Sequence, residues 1–120
     1  MNTLAFFLTA FVSLEHLYIF AMEVFAWETL GKKTFKTLPE ELFEPSKKLA
    51  ANQGVYNGFL SIGLAWSCFI DDPIWSENIG IFFLSCVIVA GIFGAWTITS
   101  KIFFTQAVPA IIALTAVLIS

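Results

Sequence analysis

Charge is scarce in this chain, and arginine is absent altogether. Only 12% of the 120 residues are charged, and the mean hydropathy is +0.85, whereas about a quarter of the residues in a soluble domain are charged. Six lysines against nine acidic residues give a net charge of -3, so no cationic surface exists for nucleic-acid phosphates. The composition therefore excludes nucleic-acid binding, and the 17% aromatic content excludes a disordered segment.

Histidine and cysteine are almost as rare. The single histidine, His16, excludes a bis-histidine haem site within one protomer. A metal site built from His16 with Glu15 and Glu23 would be unusual, because catalytic zinc is mostly held by three ligands with histidine prominent. No phosphate-binding glycine loop, dinucleotide-binding pattern or nucleophile elbow occurs. We therefore assign no metal, no cofactor and no catalytic residue.

Long apolar stretches dominate the chain instead. A helix needs about 20 apolar residues to cross the bilayer core, and four stretches fit, at about 3–27, 49–70, 78–98 and 102–119. None shows the ten-residue alternation of a spanning β-strand. We predict one all-α integral membrane domain over residues 1–120, a bundle of four transmembrane helices in a lipid bilayer.

The lysines fall on one side of this bundle. Five lie between spans 1 and 2, and Lys101 lies between spans 3 and 4, whereas Asp71, Asp72 and Glu77 lie between spans 2 and 3. Because positive loops stay cytoplasmic, we predict a multi-pass protein with both termini outside. Span 1 has no basic start and is read as a retained helix, not a signal peptide.

The connection between spans 1 and 2 is the only sizeable polar segment. Thr37 followed by Glu40 fits a capping box, and Pro45 would end the helix that it begins. We expect a short cytoplasmic helix lying at the membrane interface, with partner docking or gating as the alternative role.

Polar residues inside the spans are the candidates for function, because a buried charge costs at least about 2.5–3.5 kcal/mol there. His16 and Glu23 are seven residues apart and therefore share one face of the first helix. Because spans 1 and 2 run antiparallel, Glu23 lies at about the same depth as Asn52 to Tyr56. We expect a polar layer that binds a ligand or exchanges protons, formed by Glu15, His16, Glu23, Asn52, Gln53, Tyr56, Asn57 and Gln106. The alternative is that these side chains only join helices, at about 0.6 kcal/mol per hydrogen bond.

Small residues predict where helices approach closely. Gly54 and Gly58 form a GxxxG pattern in span 2, and Gly91 and Gly94 lie on a small-residue stripe in span 3. We expect them to pack helices within the bundle, with a homodimer face as the alternative. Pro109 should kink span 4 beside Gln106.

The sequence resembles a known family of small bacterial membrane proteins. The resemblance is carried by Leu14-Glu15-His16-Leu17-Tyr18-Ile19, Glu23-Val24-Phe25-Ala26-Trp27, Ala50-Ala51-Asn52-Gln53-Gly54-Val55-Tyr56-Asn57-Gly58-Phe59-Leu60, Cys86-Val87-Ile88-Val89-Ala90-Gly91-Ile92 and Gln106-Ala107-Val108-Pro109-Ala110. This pattern is similar to the bacterial family catalogued as domain of unknown function 1304. The resemblance implies a four-span protein of the bacterial inner membrane, and it implies no activity.

Three classes of function fit these observations. The first is binding or transport of a small ligand, coupled to protons through the intramembrane carboxyl groups, with small multidrug exporters as an architectural analogy only. The second is an intramembrane enzyme that uses Glu and His for acid–base chemistry on a lipid-like substrate. The third is an accessory membrane subunit. We favour the first, because three spans are expected to contribute polar side chains to one layer around Glu23, with Glu15 and His16 above it.

Overall fold

The computed structural model describes all 120 residues as helices and short connections. Its five α-helices are α1 (Thr3–Phe25), α2 (Lys32–Thr34), α3 (Lys47–Phe69), α4 (Pro73–Thr97) and α5 (Val108–Ile119). Single π-helical turns lie at Trp27–Gly31 and Phe103–Ala107, and a 3-10 turn lies at Glu40–Leu42. The predicted all-helical fold is confirmed.

Side-chain caps define where two of the long helices begin. Asn2 Oδ1 accepts a hydrogen bond from the Ala5 amide at 2.9 Å and so caps α1. The Asp72 carboxylate accepts bonds from the Ile74 and Trp75 amides at 2.9 and 3.1 Å, and Pro73 follows at the first helical position, which proline favours. The helix α4 therefore begins ahead of the predicted span start at 78.

The four long helices form a bundle in which α1 contacts α3 and α5, and α4 contacts α3 and α5. Between α1 and α3, Ser13 Oγ donates to the Ser61 carbonyl at 2.7 Å and Ser61 Oγ donates to the Ser13 carbonyl at 2.8 Å. Such reciprocal bonds require the two backbones to lie close together. The apolar core beside them consists mostly of small side chains, including Ala5, Ala110 and Ala113.

The surface of the bundle is apolar, and its interior contains several polar side chains. Only 29 of 120 residues are buried, and these include Thr9, His16, Glu23, Asn57 and four serines. Large apolar side chains from every long helix face outward. Two helices, α1 and α4, are long and apolar enough to cross a membrane, and the apolar segment Phe103–Ile119 is shorter.

The connection from α1 to α3 differs from the prediction of one interfacial helix. It contains only three short helical turns, and no side chain caps the turn at Glu40–Leu42. The predicted Thr37–Glu40 capping box is wrong. Pro39 (φ -57°, ψ 137°) lies between its two members, and a proline disfavours helical backbone at the residue before it.

Trp27 holds this connection against the end of α1. Its Nε1 donates to Ser46 Oγ at 3.0 Å, and its ring centroid lies 4.9 Å from that of Phe43 and 5.7 Å from that of Phe35. A Cβ at Gly31 would come within 2.8 Å of the Trp27 ring. Glycine at position 31 therefore lets the indole lie flat against the backbone.

Candidate ligand-binding cavity

A polar cavity of about 280 Å³ lies where the end of α1 meets the α1–α3 connection and the turn between α4 and α5. The residues that line it are Glu15, Tyr18, Ile19, Met22, Thr34, Phe35, Lys36, Thr37, Thr99, Lys101, Ile102, Thr105 and Gln106. Three separate parts of the chain thus contribute to one concave site. Its volume is near the lower end of the about 300–1,000 Å³ typical of small-molecule pockets.

Glu15 forms the inner end of the cavity. It lies near the middle of α1, ten residues before Phe25, which corresponds to about 15 Å along the helix axis. Its side chain is 21% exposed, and Oε1 is buried without a hydrogen-bond partner. A buried carboxyl oxygen without a donor is expensive, and the exposed part of the same side chain presents the carboxyl group to the cavity.

Two lysines, Lys36 and Lys101, lie at the other end of the cavity. They differ from two lysines outside it. Lys32 and Lys47 each have a glutamate 3.4 Å away, Glu40 and Glu28 respectively. By contrast, Lys36 and Lys101, which line the cavity, form no ion pair with any carboxylate. Positive charge near the opening and a carboxyl group inside therefore give the cavity two distinct electrostatic ends.

Hydroxyl groups and one amide lie between these ends. Tyr18 Oη and Thr34 Oγ1 are 3.3 Å apart, within hydrogen-bond distance. Thr105 and Gln106 come from the π turn that precedes α5, in which the Val108 amide donates to the Phe103 carbonyl. Pro109 has no amide hydrogen to give to the Thr105 carbonyl, and the helix widens by one residue directly before it. The π turn places Thr105 and Gln106 in the cavity wall.

His16 points away from this cavity. Its side chain is fully buried, Nδ1 lies 2.9 Å from the Val12 carbonyl oxygen, and Nε2 has no partner. Because a carbonyl only accepts, Nδ1 carries the proton in this contact. Glu15 Oε1 is 4.0 Å from Nδ1, too far for a hydrogen bond. Adjacent positions on α1 therefore present one group to the cavity and one to the bundle interior.

Glu23 forms a second, separate polar contact. Asn57 Nδ2 donates to Glu23 Oε1 at 2.6 Å, and the two residues are only 9% and 8% exposed. The bond joins α1 to α3 and does not line the cavity. Its closed geometry fits a role in holding the two helices together.

The residues of the predicted polar layer lie at several separate places in the structure. Asn52, Gln53 and Tyr56 lie on the exposed side of α3, and only Asn57 reaches Glu23. At 3.6 residues per turn, the four polar residues of α3 spread over more than one face. The buried face contains Gly54, Asn57, Gly58 and Ser61. Of the predicted residues, the cavity brings together only Glu15 and Gln106.

Seven polar cavity residues were not singled out from the sequence as site residues, namely Tyr18, Thr34, Lys36, Thr37, Thr99, Lys101 and Thr105. Six of them lie in connections or in the π turn, where neither hydropathy nor periodicity indicates which way a side chain points. The position of the two lysines on the same predicted membrane side was the available signal.

The four predicted packing glycines lie between helices of the same bundle. A Cβ at Gly54 would come within 2.8 Å of Val24 Cγ2 on α1, and one at Gly91 within 2.9 Å of the Ala107 backbone nitrogen. Gly58 similarly faces Phe20, and Gly94 faces Ile102. All four glycines thus occupy contacts within one protomer.

These features define the chain as a small helical protein with an apolar exterior and a cavity lined by both polar and apolar side chains. The family described as Protein of unknown function (DUF1304) matches residues 10–118, and the chain belongs to this family.

A relative from Lactococcus lactis subsp. lactis (strain IL1403), described as Uncharacterized protein YpaA, is 34% identical over 116 residues. The matched region covers 95% of this chain and 96% of the relative, so the similarity extends over the whole bundle. No solved structure matches the chain.

Proposed function

We propose that this protein spans the membrane four times and binds a small ligand in the cavity that ends at Glu15. Its apolar exterior supports this, because a soluble domain would place those side chains inside. The long axis of 47 Å is close to the about 40–45 Å thickness of a bilayer with its headgroups. We take α3 and the segment Phe103–Ile119 as the remaining two spans.

The distribution of charge supports one orientation in the bacterial inner membrane. The lysines lie in the connection after α1, at the start of α3 and in the turn before α5, which share one end of the bundle. At the opposite end the amino terminus lies 3.9 Å from Glu77 Oε1, and the connection with Asp71 and Asp72 is at the same end. We place the lysine end in the cytoplasm and both termini outside, so that the cavity opens toward the cytoplasm.

The observation that carries the ligand-binding function is the partly exposed Glu15 carboxyl group in the wall of a partly enclosed cavity. A carboxyl group within the membrane-spanning part of a helix is expensive, and packing alone does not use this one. Binding by such a group is also the first step of a proton-coupled carrier. Transport requires a further opening beyond Glu15, where the bonded Ser13–Ser61 pair closes α1 against α3.

The test is a thermal-stability screen of the purified protein in nanodiscs against cationic, anionic, dipolar and neutral small molecules. Bound ligand stabilises the folded state by mass action, so we expect at least one class to raise the melting temperature of the wild type but not of Glu15→Gln. Glu77→Gln, at the far end of the bundle, is the control and should respond like the wild type. A screen in which no class distinguishes Glu15→Gln from Glu77→Gln would overturn the proposal.

A further inference from the structure

Resting on this ligand-binding function, we propose that the ligand is a small dipolar molecule. Its anionic group, a phosphate or a carboxylate, binds at Lys36 and Lys101, and its ammonium group binds at Glu15. The two groups are joined by a short apolar linker. The juxtaposition that carries this inference is two lysines without ion pairs at one end of a cavity whose other end is the partly exposed carboxyl group of Glu15.

The lysine end selects an anion. Lys36 comes from the connection after α1 and Lys101 from the turn before α5, so the tertiary fold brings two like charges to one cavity, and neither of them forms an ion pair. Phosphate and carboxylate oxygens accept charge-assisted hydrogen bonds from ammonium groups. The hydroxyls of Thr37 and Thr99 line the same cavity and are further donors to such oxygens.

The inner end selects a hydrogen-bond donor. Glu15 Oε1 has no donor within the protein, and its neighbours in the cavity on α1 include the apolar Ile19 and Met22. An ammonium group on the ligand satisfies the carboxylate with the stronger, charge-assisted form of the bond. The amide of Gln106 lines the cavity as well and is a further polar partner for this group.

The charges at the two ends weigh against ligands with one kind of charge. A purely cationic ligand would approach Glu15 past Lys36 and Lys101, and a purely anionic ligand would leave the Glu15 oxygen without a donor. The volume of about 280 Å³ holds a small metabolite or a single headgroup and not a whole lipid. The apolar side chains of Ile19, Met22 and Ile102 in the cavity wall suit a short alkyl linker between the charged groups.

The test measures binding of four probes to the full-length protein in phosphatidylglycerol nanodiscs by titration calorimetry. O-Phosphoethanolamine and 4-aminobutyrate are dipolar, whereas inorganic phosphate and ethanolamine each carry one of the two groups. We expect the better dipolar probe to bind at least about tenfold more tightly than either fragment, since each charge-assisted bond contributes about 1.5–3 kcal/mol. Adding phosphatidylethanolamine to the nanodiscs shows whether the natural ligand is a lipid headgroup or a soluble molecule. If the lipid competes with the soluble probe, the headgroup occupies the site.

Variants at each end of the cavity test which end binds which group of the ligand. In Glu15→Gln we expect the dipolar probe to bind no better than phosphate, and in the Lys36→Gln/Lys101→Gln double variant no better than ethanolamine. Lys33→Gln/Lys48→Gln, which removes two lysines outside the cavity, is the matched control and should keep wild-type binding. Lys101→Arg should keep the preference for dipolar probes, and unchanged gel-filtration and helical circular dichroism profiles verify that each variant folds.

The outcomes distinguish failure of the dipolar-ligand proposal from failure of the general ligand-binding proposal. If a cationic or neutral compound binds with a Glu15-dependent affinity that the double lysine variant does not change, the dipolar ligand is wrong while ligand binding stands. The same holds if both dipolar probes bind no more tightly than their fragments while another class stabilises the wild type. If no class of compound binds in a Glu15-dependent manner, both proposals fail.

Discussion

Glu15 and Glu23 are two glutamates of one helix with opposite surroundings. Glu23 accepts a short hydrogen bond from Asn57 across the α1–α3 interface, whereas the Glu15 side chain is partly exposed and lines a cavity, and its buried Oε1 has no protein partner. A buried carboxyl group with a dedicated amide donor stabilises the fold, and one without a donor is available to a ligand. The difference arises because the two positions, eight residues apart on α1, face different elements.

Replacement of Asn57 by leucine should destabilise the bundle. The change leaves the Glu23 carboxyl buried without its donor, and an unsatisfied buried group costs about 1–3 kcal/mol. Asn52→Leu is the matched control, because Asn52 is on the exposed side of the same helix. Equilibrium unfolding in detergent monitored by circular dichroism measures both, and equal stabilities would show that the Glu23–Asn57 bond does not hold the helices together.

At the scale of helices, close approach depends on glycine at particular positions. The contact between α4 and the π turn before α5 places the Ala107 backbone against Gly91, where an added Cβ would lie 2.9 Å from the backbone nitrogen. A backbone atom cannot rotate away as a side chain can. The packing of α5 and of the π turn that carries Gln106 therefore depends on the absence of a side chain at position 91.

Gly91→Leu should separate α4 from α5 and lower the unfolding free energy by at least the about 1–3 kcal/mol typical of overpacking. Ala90→Leu is the matched control, because its neighbouring position is exposed on α4. We expect it to leave thermal stability nearly unchanged in the same detergent. Similar losses of stability in both variants would contradict the close contact between α4 and the segment before α5.

The connection between α1 and α3 depends on Trp27, and with it one wall of the cavity. Trp27→Ala removes the bond to Ser46 and the ring contacts with Phe35 and Phe43. Local opening rises when few buried contacts hold a segment, so trypsin should cleave after the connection lysines, such as Lys33 and Lys36, faster than in the wild type. Trp96→Ala is the control, because Trp96 is 83% exposed and lies outside the connection. Unchanged cleavage in Trp27→Ala would show that the connection is held by other contacts.

At the scale of the whole molecule, the proposed membrane orientation assigns the two ends of the bundle to opposite compartments. Lysines surround the cavity end, and the amino terminus, Glu77 and the Asp71–Asp72 pair mark the other. In this proposed orientation the cavity opens toward the cytoplasm, and the half of the bundle beyond Glu15 is packed with small core side chains.

A pair of single-cysteine variants tests this orientation in intact cells. In a Cys68→Ala/Cys86→Ala background, a membrane-impermeant maleimide should label Asp71→Cys on the outside and should leave Ser100→Cys unlabelled until the cells are opened. Both positions are exposed in the structure, so any difference in labelling arises from the side of the membrane on which each cysteine lies. Labelling of Ser100→Cys alone in intact cells would invert the orientation, and labelling of both would contradict a single orientation.

Much of the fold was predictable from the sequence, and the site was predictable only in part. Hydropathy located the long helices, because apolar runs of this length favour one regular structure, and the sequence also named Glu15 and Glu23 as unusual. The placement of Asn52, Gln53 and Tyr56 in one layer with Glu23 could not be settled from depth alone. Their rotation about the helix axis depends on which face of α3 contacts α1, and Gly54, Gly58 and Ser61 determine that face through close packing.

The sequence by itself therefore determined the helical class, the apolar runs, the segregation of lysines and the two glutamates within α1. These properties depend on composition and on the order of residues along one helix. Only the tertiary structure decided that Glu23 is paired with Asn57, that His16 faces the interior and that Glu15 shares a cavity with Lys36 and Lys101. The physical reason is that the cavity joins segments about twenty to ninety residues apart in the chain. These segments come close together only when the connection held by Trp27 and the π turn before Pro109 pack against α1.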